Sequence, residues 1–552
     1  MEKTKIFDAY MLSLVLLVLA ASPLKAQPNY SSYVRPGPEG MLIYASDAQG
    51  NRIPDYSYAG YKGGVVSLPN APVRIVLEPA RGDDTERIQA AIDKVATMPF
   101  GKNGLRGAVL LKAGLYEVKG PLKIAASGVV LRGQGTGPDG TIIRATSKEK
   151  SEWSDDWKSC LITVSGKNDF REIPHTRQDI VNEKVTLEQT TLTIKDARAY
   201  QPGNLIIVRR NTNAAWVHAI GMDRIPPRKD RNPIRQWRPG ARETYERAIT
   251  AINGNQIIID CPVYDTIEQR YGGGWVYKYE FPGRIQNVGV ENLRAVSVWE
   301  PENGTDPLTH SAAMLQFFNA KDCWACDLTG IHFYGTGILV GSKTRDVTIQ
   351  DCTLENAEPK YYAAYPYVAR YGITLAGQGI LVQRCKAFNC RHAFSVGSRT
   401  AGPNVFLDCD GPSTLGASEP HHRWSTGVLF DHCGHNHPTP ILIMNRGSMG
   451  SGHGWTTGNS LMWNCIGDPL TAESPPISRN YSIGCKGQRK AGPFEAFQPQ
   501  TYESWGRHVV PASLYLAQLK DRLGPEAVRN IASREQLERN HISVKDQDNN
   551  LE

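Results

Sequence analysis

The side chains best suited to chemistry lie between Arg370 and His453. They are Arg370-Tyr371, Arg391-His392, Arg399, Glu419-Pro-His421-His422-Arg423, Asp431, Arg446 and Gly-His453-Gly. Such a set suits removal of a proton from a carbon next to a carboxylate. The C5 proton of a uronate is acidic only when its carboxylate is neutralised, by arginine or a divalent cation, and a base of suitable pKa must reach it. Arg391, Arg423 and Arg446 supply guanidinium forks for the carboxylate, His392 or His422 the base, and Tyr371 a proton for the leaving oxygen. His453 joins the substrate-binding set. The plainer reading of each histidine is an imidazole satisfied by local hydrogen bonds. Hydrolysis would instead need two carboxyl groups roughly 5 to 9.5 Å apart, with Asp408, Asp410, Glu419 and Asp431 available.

The elements that must position these residues are short apolar runs, each ending on a cysteine: VTIQDC at Cys352, ILVQRC at Cys385, VFLDC at Cys409, VLFDHC at Cys433, SLMWNC at Cys465 and YSIGC at Cys485. Successive cysteines are 33, 24, 24, 32 and 20 residues apart. That spacing predicts one solenoid coil per cysteine, with extra loop residues in the longer coils. Runs of four to six apolar residues punctuated by Gly, Asn and Asp are strands of a parallel β-helix, burying their inner faces only on the next coil. Residues one coil apart lie about 5 Å apart, so Arg391, Arg423 and Arg446 are expected to line one groove.

Of 552 residues, 40% are hydrophobic, with 52 Gly and 35 Pro, as a folded strand-and-turn protein requires. A solenoid grows in one dimension, so a single elongated body accommodates this length. The eleven cysteines are expected as mostly free, buried thiols, because six fall at equivalent coil positions and an odd total cannot pair completely. Cys323-Trp-Ala-Cys326 has the spacing of a metal or redox pair, but without a second such pair it reads as solenoid wall. Lys3 and Lys5, the apolar run Met11 to Ala21 and Leu24-Lys25-Ala26 predict a cleaved secretory signal over 1–26, hence a secreted or periplasmic protein. An uncleaved anchor is the rival reading, and no later segment has the roughly 20 apolar residues that spanning needs.

From the cut onward, 27–80 is expected to be loop-rich and 81–495 to form the β-helix, with a basic insertion at 209–247. A helical tail occupies 496–552. Asp83-Asp84-Thr85 caps a helix whose Ile88, Ala91, Ile92 and Val95 share one face, suited to plugging the open end of the solenoid. The insertion holds ten Lys or Arg against four acids, and Trp216 is placed there to stack on sugar rings. Export makes an acidic polysaccharide, and not nucleic acid, the expected partner of this charge. A monomer is expected. Calcium is the one ion considered, with Asp408, Asp410 and Asp431 as ligands, but no diagnostic calcium loop is present and no required ion is expected. In the tail, LYLAQLKDRLG has helical spacing before a glycine stop.

Four segments together carry a resemblance: IPDYSYAGYKGG, GDDTERIQAAIDKVA, GAVLLKAGLYEV and GVVLRGQG. With the coil pattern, over roughly 50 to 485, the chain resembles secreted bacterial proteins of the pectate-lyase-like superfamily. The resemblance implies an all-β fold, a right-handed parallel β-helix with an N-terminal capping helix and a short C-terminal helical tail. It also implies lyase or hydrolase action on polysaccharides. The Gly-His453-Gly turn resembles that of polygalacturonases, but the Arg-Ile-Lys motif of those enzymes is missing here, which weakens a hydrolase assignment. Elimination on an acidic polysaccharide is therefore the first expectation, hydrolysis the second, and a non-catalytic carbohydrate-binding solenoid the third.

Overall fold

The computed structural model describes residues 28–543 except 150–157, 231–232, 241–242, 301–307, 363–368, 413–414 and 495–500. The expected export signal at 1–26 and the ends of the expected tail lie outside the described residues. Three parallel ladders run the length of a right-handed β-helix. The first passes through Val73–Leu77, Gly107–Leu111, Val129–Arg132 and on by way of Arg345–Gln350, Gln378–Gln383, Asn404–Leu407 and Val428–Asp431 to Tyr502–Glu503. The second includes Thr141–Ala145, Thr353–Glu355 and Lys386–Phe388. The third runs through Cys160–Ser165, Ala313–Phe318, Thr336–Val340, Tyr371–Leu375, His392–Val396 and Glu419–Pro420.

The cysteine repeat marks the corner between the first two ladders. There the residues Asn292, Asp327, Asp351, Arg384, Asp408, His432, Asn464 and Gly484 all have φ between 50° and 68°. A left-handed residue turns each coil through the same angle, and Asn, Asp, His and Gly adopt that conformation most readily. The following residue then points inward, and in six successive coils it is cysteine: Cys352, Cys385, Cys409, Cys433, Cys465 and Cys485, all buried and free. Their carbonyls accept from the next coil, as in Lys386 N to Cys352 O at 2.8 Å and Ile466 N to Cys433 O at 2.9 Å. Cys323 is buried in the core and Cys326 borders Trp324, so the CxxC pair is part of the wall.

Helix α1 (Thr85–Ala96) packs Ile88, Ala91, Ile92 and Val95 against the first coils and closes the N-terminal mouth, as its periodicity predicts. The first ladder is apolar on both faces because its outer face is covered as well. Leu381, Val405, Leu407, Leu429, Leu461 and Trp463 contact the N-terminal segment, an inserted sheet and the tail.

Three boundaries differ from the sequence expectation. The β-helix starts at Val73 and not 81, since Val73–Leu77 already pairs with Gly107–Leu111. The insertion is also larger than 209–247. Strands from Arg171–Glu172 to Gly274–Glu280 form an antiparallel sheet, and the basic segment, with helix α2 (Ala214–Ala219), is the connection between two of them, Leu205–Arg210 and Thr244–Asn253. The tail begins after 503 and not at 496, since Tyr502–Glu503 still pairs with Tyr481–Ile483, and it holds three helices, α3 (Leu514–Leu523), α4 (Pro525–Ile531) and α5 (Arg534–Arg539), with α3 laid along the outer face of the first ladder. Among the described residues no helix is long and apolar enough to cross a membrane.

Free thiols buried in the wall predict a definite titration. Unfolded in denaturant without reductant, the protein should expose all eleven thiols to a thiol-reactive chromophore, whereas the folded protein should react only at the part-exposed Cys326. A shortfall after unfolding would reveal disulfides and contradict the ladder.

Candidate active site

Glu419 is the centre of the constellation. It stands in the third ladder opposite Ser395 and is 2% exposed. Its Oε1 accepts from Arg446 Nη1 at 2.6 Å and lies 2.8 Å from His421 Nδ1 and 3.2 Å from His392 Nδ1. Arg446 Nη1 also donates to the carbonyl of His421 at 2.9 Å. His392 Nδ1 lies 2.8 Å from the Ala417 carbonyl, which must accept a proton from it. That bond fixes the tautomer and leaves Nε2 with its lone pair.

Around this centre four imidazoles touch. Ring centroids are 4.7 Å apart for His392 and His421, 5.2 Å for His421 and His422, 5.0 Å for His421 and His453, and 5.1 Å for His422 and His453. Tyr371, in register with His392, stacks on it at 5.6 Å. Burial holds the pKa of His392 and of His422 at about 3, and pushes His421 and His453 well below the ordinary imidazole range, with the Arg446 charge acting in the same sense on all four. The imidazoles are therefore neutral bases at neutral pH. Burial pushes the Tyr371 phenol up to about 12, so it keeps its proton. His422 Nδ1, His453 Nδ1 and Arg391 Nε are buried without a hydrogen-bond partner.

The structure thus brings together Tyr371, Arg391, His392, His422, Arg423, Arg446 and His453, and adds His421 and Glu419. They do not form a single arginine column, however. Arg391 precedes the strand His392–Val396, whereas Arg423 follows Glu419–Pro420 and Arg446 follows Ile441–Ile443, so the guanidinium groups come from opposite ends of third-ladder strands. Sequence reasoning had His421 in view only as a neighbour of His422. The signal that could have singled it out is Glu419 two positions earlier, the spacing that lets one carboxylate meet an imidazole across a short extended turn.

Trp216 requires a correction. Its side chain is 0% exposed and meets Trp424 at 5.1 Å and Trp237 at 5.5 Å, with the Arg210 guanidinium 4.1 Å over its ring. It has no free face for a sugar and instead anchors the basic connection to the wall. That connection reaches the active-site turn directly, with Arg235 N donating to Ser451 O at 2.9 Å. Gly452 and Gly454 permit the approach: a Cβ on the first would meet Arg235 O at 2.7 Å, and on the second the Met222 sulfur at 2.2 Å.

The acids considered for hydrolysis or calcium do not converge. Asp408 is bonded by His432, Gln536 and Arg539. Asp410 caps the turn at Asn436 and His437. Asp431 accepts from Ser513 Oγ at 2.7 Å and Tyr515 N at 2.8 Å beneath α3. Asp408 and Asp410 are thus committed to protein partners, and burial pushes the Asp431 pKa up to about 8 with its Oδ1 left without a partner, which does not fit a shared calcium site. His392, Glu419 and His421 do offer three ligand atoms within 4.8 Å of one another, a donor set suited to a divalent transition metal. Arg446 Nη1 already lies against two of the three, 2.6 Å from Glu419 Oε1 and 2.9 Å from His421 Nδ1, so a guanidinium supplies the positive charge there.

Neutral buried histidines make stability depend on pH with a definite sign. Unfolding lets His392 and His422 regain a pKa of about 6.5, so between about pH 6.5 and 3 the unfolded state binds more protons. Their contribution is complete above about pH 6.5 and is lost as pH falls toward 3, by up to about 1.4 kcal/mol per pH unit for each. The denaturation midpoint should fall across this window, and His422→Gln should flatten the slope. A midpoint independent of pH there would mean that the imidazoles are not held neutral.

No family model and no curated protein matches the sequence. Solved structures match at low similarity. The tailspike protein gp49 from Pseudomonas phage LKA1 is 12% identical with a TM-score of 0.33, covering 77% of this chain and 70% of that one. The polygalacturonase from Erwinia carotovora ssp. carotovora is 10% identical with a TM-score of 0.28, covering 81% and 96%. Pectin methylesterase PemA from Erwinia chrysanthemi is 10% identical with a TM-score of 0.31, covering 82% and 97%.

Proposed function

We propose that this protein is an exported polysaccharide lyase that cleaves a uronate-containing polysaccharide by β-elimination. The observation that carries the reading is the composition of the cluster: four neutral imidazoles, one protonated phenol and arginines from three coils surround a single carboxylate, Glu419, which is 2% exposed and bonded to Arg446. Elimination needs an unprotonated base and a neutralised substrate carboxylate; the set supplies the imidazoles and the arginines, and the negative charge of the incoming uronate raises the proton affinity that burial has lowered. A pair of accessible carboxyl groups, which hydrolysis needs, is absent from the cluster among the described residues.

In this reading the Arg391 guanidinium receives the uronate carboxylate, and Arg446, fixed by Glu419, adds positive field. His392, its ring oriented through Nδ1, takes the C5 proton at Nε2. The electron pair left on C5 forms the C4–C5 double bond as the C4–O bond breaks, and the Tyr371 hydroxyl protonates the departing oxygen. His422 and His453 flank the sugar. The runner-up, a glycoside hydrolase, would need one of the committed aspartates to leave its partners, and a purely binding solenoid has no use for imidazoles held neutral in one place.

The test is ultraviolet absorbance of the mature protein with a panel of uronate polysaccharides, beside a reducing-end assay. Elimination produces an absorbing unsaturated uronate together with each new reducing end. His392→Ala and Tyr371→Phe should each lower turnover by about 10²- to 10⁴-fold while binding persists. Reducing ends without absorbance would overturn elimination in favour of hydrolysis, and binding unaccompanied by either product across the panel would favour the binding solenoid.

A further inference from the structure

Beside the imidazole cluster lies a second group of arginines that the elimination chemistry does not use. Arg423, half-buried, donates from Nη2 to Ser451 Oγ at 2.9 Å and from Nε to the Gly452 carbonyl at 3.1 Å. Arg235, on the basic connection, bonds the same Ser451 through its backbone, and Arg399 bonds the Arg423 carbonyl through its own N–H at 2.9 Å. Three guanidinium-bearing residues from three separate segments are thereby anchored at one turn. Among the described residues none of them has a carboxylate within 4.0 Å. Burial and then the charges of Arg235 and Arg399 lower the pKa of Arg423, as expected where like charges face one another without compensation.

The nearest acids do not neutralise them. Asp265 is committed to Arg210 Nη1 at 2.6 Å and to the Trp424 indole N–H at 2.8 Å. Glu243, 3% exposed, feels Arg399, but burial and then Asp265 push its pKa well above the ordinary carboxyl range, which weakens it as a counter-charge. Arg210 with Asp265 is one closed pair, leaving the charges of Arg235, Arg399 and Arg423 open. Arg235 and Arg399 are themselves exposed, so an incoming anion can reach them. The His422 Nδ1 beside them is buried and without a partner.

We infer that Arg235, Arg399 and Arg423 form a subsite for a sulfate ester on the sugar next to the one undergoing elimination, which makes the substrate a sulfated uronate polysaccharide. This rests on the elimination reading for the neighbouring sugar. A planar carboxylate offers two oxygens and is satisfied by one arginine fork, whereas a sulfate ester presents three oxygens, enough for the forks of Arg235 and Arg399 and for Arg423 Nη1, since Arg423 Nε and Nη2 are held by the Gly452 carbonyl and Ser451. The assignment also gives the basic connection a role that Trp216 cannot supply: it delivers Arg235 to the site.

Calorimetric titration of the full mature protein with sodium sulfate, and with sodium acetate at matched ionic strength, tests the subsite without requiring turnover. Sulfate should bind more tightly than acetate, and Arg235→Gln and Arg399→Gln should each weaken sulfate binding about tenfold. Both side chains are exposed, so the variants should keep the wild-type denaturation midpoint. In a second arm, chondroitin sulfate should bind more tightly than chemically desulfated chondroitin, and both variants should narrow that difference. Equal affinity of wild type and variants for sulfate, or no preference for sulfate over acetate, overturns the subsite. Sulfate binding that depends on Arg235 and Arg399, with no unsaturated product from any uronate polymer, upholds the subsite and rejects the elimination reading.

Discussion

The constraint on which this molecule depends is that every coil must present the same backbone to the next. Parallel peptide bonding at about 4.8 Å fixes the spacing, and a coil that turned its corner differently would leave N–H and C=O groups of both neighbours unpaired. The left-handed residue at each corner is the local solution, repeated from Asn292 to Gly484 and followed by cysteine in the last six coils. Its effect reaches the active site. Because the corner is the same in each coil, strands of the third ladder start in register, and Tyr371 is set against His392.

That repetition is also why much of the fold could be read from the sequence. The Asp-Cys, Arg-Cys, His-Cys and Asn-Cys pairs are the αL residue and the inward residue after it, and the apolar face of α1 is an ordinary amphipathic stripe. The insertion was read too short because its antiparallel strands, such as Leu205–Arg210 and Thr244–Asn253, alternate like any others. Only the density of arginine stood out, and that marks a connection within the sheet. The grouping of Tyr371, Arg391, His392, His422, Arg423, Arg446 and His453 was legible from coil spacing. The burial of Trp216 was not, because it depends on Trp424 and Trp455, which are more than two hundred residues away in sequence. Nor was the place of Glu419, whose partners come from three coils.

Electrostatically the site is built by separating closed pairs from open charges. Glu419 with Arg446, and Asp265 with Arg210, are buried ion pairs, although Arg210 Nε and Nη2 and Arg446 Nε are left without a hydrogen-bond partner. Such pairs add little net stability, but removing one partner leaves an uncompensated charge in a poor solvent. Burial and the Arg446 charge keep the imidazoles neutral, while Arg235 and Arg399 face outward. A protein rich in arginine thereby offers cations to a ligand without losing the bases beside them.

The two ends of the chain meet on the outside of the first ladder. Tyr515 Oη donates to Ala59 O, Gln518 Nε2 to Pro54 O, and Arg522 to the Ser57 and Gly63 carbonyls, joining segments more than 450 residues apart. A simple solenoid can gain or lose a repeat at little cost, since each coil touches only its neighbours. Here the clasp measures the barrel between its ends. Adding or deleting one coil would slide one half of the clasp past the other by about 4.8 Å, so the clasp couples the number of coils to the docking of the tail.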